Sequence, residues 1–406
     1  METGTDIAVI GAALNGLAAA LALGGPHARR PVEVVIIDRS DPRRFADVAF
    51  DGRASAITAS SKRMLEALGA WDAIAPHAQP MNEIVVTDAR GEARPALLHF
   101  EEQAAPSAYM VENRHLYATL LDKVLAAANI ELRTGTAVTS FAFAPGLARI
   151  DAGGTGIRAS LVIAADGRDS PARQAAGIKV QGWPYDQMGI VATVAHELPH
   201  HGRAEEHFRE SGPFAILPLT GNRSSLVWTE RTAEARRIMA LDDEGFAHEL
   251  RSRFGTHLGR VTPVGPRHAY PLGLFLAHSF VGKRLALIGD AAHVIHPIAG
   301  LGLNLGFRDA AALAECIAEA VALGLDPGGA DVLSRYERRR RFDTVATAVA
   351  TDGLNRLFSN EDAGLRALRD LGLMAVDRIA PLKTLFTREA AGETGQLPKL
   401  MRGEPV

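Results

Sequence analysis

The sequence predicts an α/β protein: a doubly wound, mostly parallel sheet, interrupted by an inserted α+β domain on a largely antiparallel sheet, and a helical C-terminus. Three observations point to it. Residues 6–10, 12–24 and 34–37 read as strand, Ala/Leu-rich helix and strand, a βαβ unit that turns on Gly11. Between about residues 179 and 273 the pattern changes to separate strand-like runs. A further apolar strand, residues 285–288, then meets Gly289-Asp290 and a Gly-rich turn into a long helix from about Leu303.

The remaining elements follow from periodicity. Residues 54–69 read as helical, with Met64, Leu65 and Leu68 on one face. Residues 83–88 alternate like a half-exposed strand. Asn113 is placed to cap a helix through residue 128, on which Leu116, Leu120, Leu121 and Val124 recur at helical spacing. Strand-like pieces follow around Ile130, Val138 and Ile150, and residues 161–165 form a buried strand ended by Asp166-Gly167-Arg168. In the inserted domain, residues 189–196, 214–219 and 225–229 read as strands and precede two helical stretches. Residues 361–386 place Leu365, Leu368, Leu371, Ala375, Ile379 and Leu382 on one helical face, suited to packing on the protein or to a membrane interface. The expected division is a first domain of residues 1–70, 109–178 and 274–350, a second of 71–108 and 179–273, and a C-terminal helical segment, 351–406.

Composition excludes several classes. The chain has 406 residues, 47% hydrophobic and 22% charged, enough apolar surface to rule out intrinsic disorder. A single cysteine, Cys316, excludes a disulfide scaffold and a Cys-rich metal centre, and no metal site is expected. A net charge of −3 gives no global attraction to nucleic acid. The acidic N-terminus lacks a basic signal-peptide region and no run reaches membrane-spanning length, so a soluble cytoplasmic protein is expected.

Two motifs carry chemistry. Gly11-x-Ala13-x-x-Gly16 follows a strand and opens a helix, and Asp38 stands about 22 residues past Gly16 at the end of the next strand. The helix N-terminus offers unpaired N–H groups to a pyrophosphate, and Asp38 can accept from ribose hydroxyls. An acid there disfavours a 2′-phosphate, leaving NAD or FAD. The second motif separates these. Gly289-Asp290 ends a strand, and Pro297, Gly300, Leu301, Gly302 and Asn304 lead into a helix. Asp290 is placed to accept from ribityl hydroxyls, and the two glycines allow close approach of backbone whose helix dipole suits an anionic flavin edge. An NAD dehydrogenase has no use for such a site.

With these motifs stand Asp51-Gly52-Arg53-Ala54, Val111-Glu112-Asn113-Arg114, Ala164-Ala165-Asp166-Gly167-Arg168-Asp169-Ser170, Ile190-Val191-Ala192-Thr193-Val194, Gly212-Pro213-x-Ala215-x-Leu217-Pro218-Leu219 and Tyr270-Pro271-Leu272. In these residues the chain resembles the FAD-dependent aromatic hydroxylases of the para-hydroxybenzoate hydroxylase fold, and more closely their ubiquinone-biosynthesis branch. The resemblance implies a Rossmann-like FAD-binding domain and an inserted substrate domain. It implies that Gly11, Ala13 and Gly16 cradle FAD, Asp38 holds the adenosine ribose, Arg53 and Arg114 reach the cofactor, and Asp166 sits by the pyrophosphate. Asp290 would bind the ribityl chain, with Leu301 standing where the branch usually carries Gln and Asn304 completing the loop. Pro297, Gly300 and Gly302 would form the flavin-ring environment, with no side-chain acid or base assigned. His293 and His296 are read as structural.

The implied activity is ring hydroxylation of a polyprenylated phenol or quinol by a flavin C4a-hydroperoxide, with NAD(P)H as transient reductant and O2 as co-substrate. Phe214, Leu217 and Pro218 are the expected substrate wall, an apolar one suited to a prenylated ring. Expected partners are a lipophilic aromatic substrate and, as open alternatives, a ubiquinone-biosynthesis complex, a membrane surface (the inner membrane) or further copies of the chain; nucleic acid is not one. Two alternatives stay open: hydroxylation of a soluble phenolic compound, and a non-catalytic FAD-binding subunit.

Overall fold

The computed structural model describes residues 2–46, 51–88, 98–101, 106–358, 388 and 391–406. Its first sheet is built on apolar runs buried from both sides. The strand Glu2–Ile10 lies at the centre, with Thr155–Ala164 and Val34–Ile37 parallel to it on either flank. Ile130–Arg133 and Leu285–Leu287 extend the parallel order outward, Ile130–Arg133 forming one edge, while antiparallel strands finish the other side. Strands buried on both faces require helical layers. Leu14–Gly24, Asn113–Ala126 and Leu301–Ala322 supply them, through Leu17, Leu120 and Phe307. Because these five strands run parallel, the ends of four of them, at Ile10, Ile37, Ala164 and Leu287, lie along one edge. The residues just beyond are Gly11, Asp38, Asp166 and Asp290. That edge is where an open α/β sheet receives ligands.

The second sheet has eight strands in the order His293–Val294, Val261–Ala277, Val180–His196, Arg223–Arg231, Gly212–Leu219, Arg203–Arg209, Glu83–Asp88, Leu98–Glu101. All neighbours are antiparallel except Arg203–Arg209 with Glu83–Asp88. Alternation gives each strand two faces. One face presents Ile190, Phe214, Leu226 and Trp228 to Phe246 and Leu250 of the helix Asp243–Phe254. The other meets a small three-stranded sheet formed by Ala54–Thr58, Ala108–Glu112 and Ala78–Met81, where Ala56, Met81 and Met110 pack on Ala204 and Leu219.

Three expectations need correction. Residues 54–69 are not one helix: Ala54–Thr58 pairs with Ala108–Glu112, and the helix Ala59–Ala67 starts only where Thr58 accepts from Ser61 N–H. Asn113 is the first helical residue rather than the cap, and its side chain accepts from Ser55 Oγ at 2.8 Å. Trp71 and Ile74, placed by sequence in the second domain, are buried in the first core. The amphipathic helix expected at 361–386 lies outside the described residues.

Candidate cofactor and active site

The first loop is defined by close backbone approach. Gly11 sits at φ +105°, and a Cβ there would lie 2.3 Å from the Ala165 carbonyl oxygen. At residue 16 a Cβ would lie 2.0 Å from the Gly11 carbonyl oxygen, so the loop and the first helical turn require glycine at both positions. Ala13 is the exposed N-cap of Leu14–Gly24; it makes no side-chain cap, and the first turn holds no acid. The amide donors of that turn are left for an anion. Asp38 closes the loop, its carboxylate accepting from Ala12 N–H and Ser40 N–H, both at 2.7 Å. Each oxygen keeps a lone pair for a sugar hydroxyl.

Asp166 accepts from Ala172 N–H at 3.2 Å through one oxygen, while the other is buried with no hydrogen-bond partner among the described residues. Burial pushes its pKa up, against the hydrogen bonds of Ser170 and Ala172. The orphaned oxygen is what a missing polar ligand leaves behind.

At the second loop, Asp290 stands open to the cleft yet otherwise enclosed by protein. Burial raises its pKa, opposed by His293 and Arg168. Gly289 (φ +57°) precedes it, and Asn15 lies so close that a Cβ at residue 289 or 306 would fall 2.5 or 2.1 Å from its Nδ2. Asn15 thereby keys the first loop into the second. Beneath, Asp309 accepts from Gly289 N–H (3.0 Å), His293 Nε2 (2.6 Å) and Arg340 Nε (2.8 Å), all fully buried or nearly so. Burial alone would raise the Asp309 pKa, but His293 and Arg340 hold it below the usual carboxylate range.

Pro297 leads through a 3-10 turn to Gly300, at φ +62°, which caps Leu301–Ala322 without a side-chain bond. A Cβ at residue 302 would meet nothing within 4 Å, so the helix N-terminus opens onto free space. Leu301 packs against the buried cluster of Leu274, Ile295, Leu305 and Ala348, an apolar contact. Asn304 turns inward: Nδ2 donates to Ala56 O and Gly300 O, while Oδ1 accepts from Thr58 N–H and Thr58 Oγ1. Its amide has no hydrogen-bonding capacity left for a cofactor, so it braces the loop. His296, fully buried beside Tyr185, is pushed down to about 4 by burial and stays neutral.

Arg53 is held by Asp51 at 2.5 Å, and Arg114 by Glu112 at 2.9 Å; the buried Glu112 also takes Arg223 at 2.6 Å. The Asp51–Gly52 turn is pinned to the second sheet, Thr193 Oγ1 donating to Gly52 O and His268 Nε2 bonding Asp51 O. Of the three expected wall residues, Leu217 packs beside Ala56, which a Cβ at residue 300 would meet at 3.2 Å. Phe214 is a correction. It is fully buried with Trp228 on the opposite, helix-covered face, and Pro218 shares its parity.

Sequence reasoning missed Asn15, Asp309 and Arg340. Asp309 lies on the helix that the Gly300 loop opens, but its partner Arg340 is contributed by a separate helix, Ala330–Phe358. The glycine cradle, the orphaned Asp166 oxygen and the open helix end fit a dinucleotide cofactor with a flavin. Among the described residues no group of three His, Cys, Asp or Glu could hold a metal, and no helix is long and apolar enough to cross a membrane.

Comparison with known proteins agrees. Residues 4–351 match the family described as "FAD binding domain". The chain is 44% identical to the ubiquinone hydroxylase UbiL of Rhodospirillum rubrum, over 99% of this chain and 93% of that protein. It is 36% identical to the 3-demethoxyubiquinol 3-hydroxylase of Escherichia coli, over 96% and 98%. Among solved structures it resembles p-nitrophenol 4-monooxygenase from Pseudomonas putida DLL-E4, with TM-score 0.80 at 21% identity over 98% of this chain and all of that one. The chain belongs to this FAD-binding family, as a flavin-dependent monooxygenase related to the ubiquinone hydroxylases.

Proposed function

We propose that the protein hydroxylates the aromatic ring of a polyprenylated phenol or quinol in ubiquinone biosynthesis, using O2 and electrons from NAD(P)H. FAD, when bound, supplies the chemistry: it accepts two electrons and passes oxygen from O2 to the ring. Gly11, Ala13 and Gly16 would cradle its pyrophosphate with Asp166 alongside, and Asp38 would hold the adenosine ribose. Asp290 would take the ribityl hydroxyls, and Pro297, Gly300, Leu301 and Gly302 would border the ring system. Arg53 and Arg114 would approach the cofactor from the turns that Asp51 and Glu112 hold.

The observation that carries the substrate class is the wall opposite Gly300. Along one row of the second sheet, Val86, Glu206, Ala215, Val227, Val191 and His268 face the same side, and along the next, Ile84, Ala204, Leu217, Ser225 and Thr193. Neither row holds a lysine or arginine. A small aromatic acid would bring a carboxylate to two rows that offer no lysine or arginine and one carboxylate of their own; Arg223, in the next row on this face, is already paired with Glu112. A prenylated ring is bound by apolar area instead. Such a substrate resides in bilayers, which makes a membrane surface and neighbouring biosynthetic enzymes the fitting partners. The test is product analysis with reconstituted holoenzyme. A detergent-dispersed prenylphenol should gain one oxygen while soluble phenolic acids do not; hydroxylation confined to the acids would overturn the assignment.

A further inference from the structure

Residues 205 and 206 are both glutamate, side by side on the strand Arg203–Arg209, and alternation sends them to opposite faces. Glu205 faces the helices and is well satisfied, pairing with Arg203 at 3.3 Å, His207 at 3.0 Å and His257 at 2.9 Å. Glu206 faces the other way, towards the cofactor edge, and has no hydrogen bond or ion pair to any described residue. At its register the flanking strands offer Val86 and Ala215, and along its own strand Ala204 and Phe208 share its face. None of these titrates. The nearest ionisable group in its row is His268, separated from it by Ala215, Val227 and Val191. Across the gap at the Ala204 end stand Ala54, Ala56 and Met110.

Asp309 and Glu112, by contrast, have protein donors, and Asp290, which has none among the described residues, lies at the strand edge assigned to the cofactor. A carboxylate held unpaired among apolar neighbours is destabilising, and such groups persist where a ligand pairs with them. Burial pushes Glu206 up to about 7, so it exchanges its proton near neutrality. Most of the row remains partly open although the strands lie inside the sheet, so the space in front of Glu206 is cleft rather than core.

We propose that Glu206 is a catalytic residue whose carboxylate accepts the hydrogen bond of the substrate's ring hydroxyl and takes its proton as the ring is oxygenated. The proposal rests on the reading that this sheet face binds the ring. The electron balance is simple. As a ring carbon ortho or para to the hydroxyl donates an electron pair to the incoming oxygen from O2, the phenol O–H electrons move into the ring, leaving a dienone carbonyl. The proton goes to Glu206. The new C–O carbon then loses its hydrogen as a proton, the ring regains aromaticity, and the phenol oxygen recovers its proton, so Glu206 ends ionised as it began. The second oxygen atom leaves as water, reduced by the electrons of NAD(P)H.

The test compares wild type with Glu206→Gln, Glu206→Asp and Leu217→Arg holoenzymes. Glu206→Gln should keep its FAD and melt no lower than wild type, bind a prenylphenol within about threefold of wild type, and form product at least ~30-fold more slowly, the oxygen appearing as hydrogen peroxide. Glu206→Asp should recover part of the rate. A nitro-substituted phenol that ionises near neutrality supplies a binding readout free of turnover. Bound to wild type it should titrate at higher pH than when bound to Glu206→Gln, because the carboxylate opposes a second negative charge. Equal rates, equal coupling and equal probe titration in wild type and Glu206→Gln would overturn the assignment of Glu206. If Leu217→Arg leaves prenylphenol binding untouched, the wall itself is misplaced and the proposal falls with it; if Leu217→Arg weakens binding while Glu206→Gln is silent, only Glu206 is wrong.

Discussion

At the scale of single residues, the site is made of carboxylates whose surroundings set different tasks. Asp290 faces the cleft with no hydrogen bond from a described residue, and burial raises its affinity for a proton; a hydroxyl-rich ligand would satisfy it. Asp290→Ala should therefore lose FAD on gel filtration, with occupancy falling at least ~10-fold, and an Asp290→Ala protein with full flavin content would remove this residue from the site. Glu206 makes a different prediction, about stability. Its folded pKa of about 7 lies above that of an exposed glutamate, so the folded state binds the proton more tightly. Ionisation thus destabilises the fold progressively as pH rises from the unfolded value through about 7, and below both values there is no penalty. Glu206→Gln should melt like wild type at pH 4 and be more stable at pH 8.5, by about 1–3 kcal/mol after allowing for its partial exposure. A denaturant titration at the two pH values checks this; equal stability at pH 8.5 contradicts it.

At the scale of elements, two glycines separate building the loops from using them. Residue 16 has backbone against it and residue 302 has open space. Gly16→Ala should destabilise the fold by about 3 kcal/mol through the forced shift of the Gly11 turn. Gly302→Val should leave folding within about 1 kcal/mol of wild type, adjusted for helix propensity, yet bar the flavin. Urea unfolding paired with flavin absorbance distinguishes the two, and a Gly302→Val protein carrying normal flavin would refute the placement of the cofactor at that helix end. The Asp309 cluster acts as a buried anchor: Asp309→Asn strips the counter-charge from Arg340 and should cost about 3 kcal/mol, read by the same titration. This scale also shows what a sequence discloses. The Gly11 and Gly300 loops were legible because turn, helix start and acid are local and close in the chain. The strand Ala54–Thr58 was not, since its partner is Ala108–Glu112 and alanine and serine favour no period. Phe214 and Leu217 were grouped together because only register tells which face of a strand meets the cofactor edge. Glu205 and Glu206 are indistinguishable until the neighbouring strands divide them.

At the scale of the whole molecule, the strand ends of one sheet, which carry Gly11, Asp38, Asp166 and Asp290, confront the open face of another. Among the described residues, polar ties run from the second sheet to the turns around residues 51–52 and 112, Thr193 to Gly52, His268 to Asp51 and Arg223 to Glu112, and to the helix Ala330–Phe358, Tyr185 to Asp352 and Gln187 to Asn355. The small sheet around Ala56 and Met110 fills one end of the gap with apolar contacts. FAD seated along the strand ends would touch the Gly11, Asp166 and Gly300 loops at once, three segments far apart in the chain whose order the bare fold leaves to Asn15 and the Asp309 cluster. Binding to the folded state alone must then stabilise the molecule as a unit. At free FAD one hundred times its dissociation constant the gain is about 2.7 kcal/mol. In a chain of this size that is a rise of about 3–8 °C in melting temperature, by extrapolation from smaller domains. Calorimetry of flavin-stripped protein across an FAD series should show a single transition that climbs with ligand concentration, whereas Gly302→Val should show none of the climb. A melting temperature indifferent to FAD in the wild-type chain would mean that the cofactor is not held between these loops, and the placement of every residue assigned to it here would fail together.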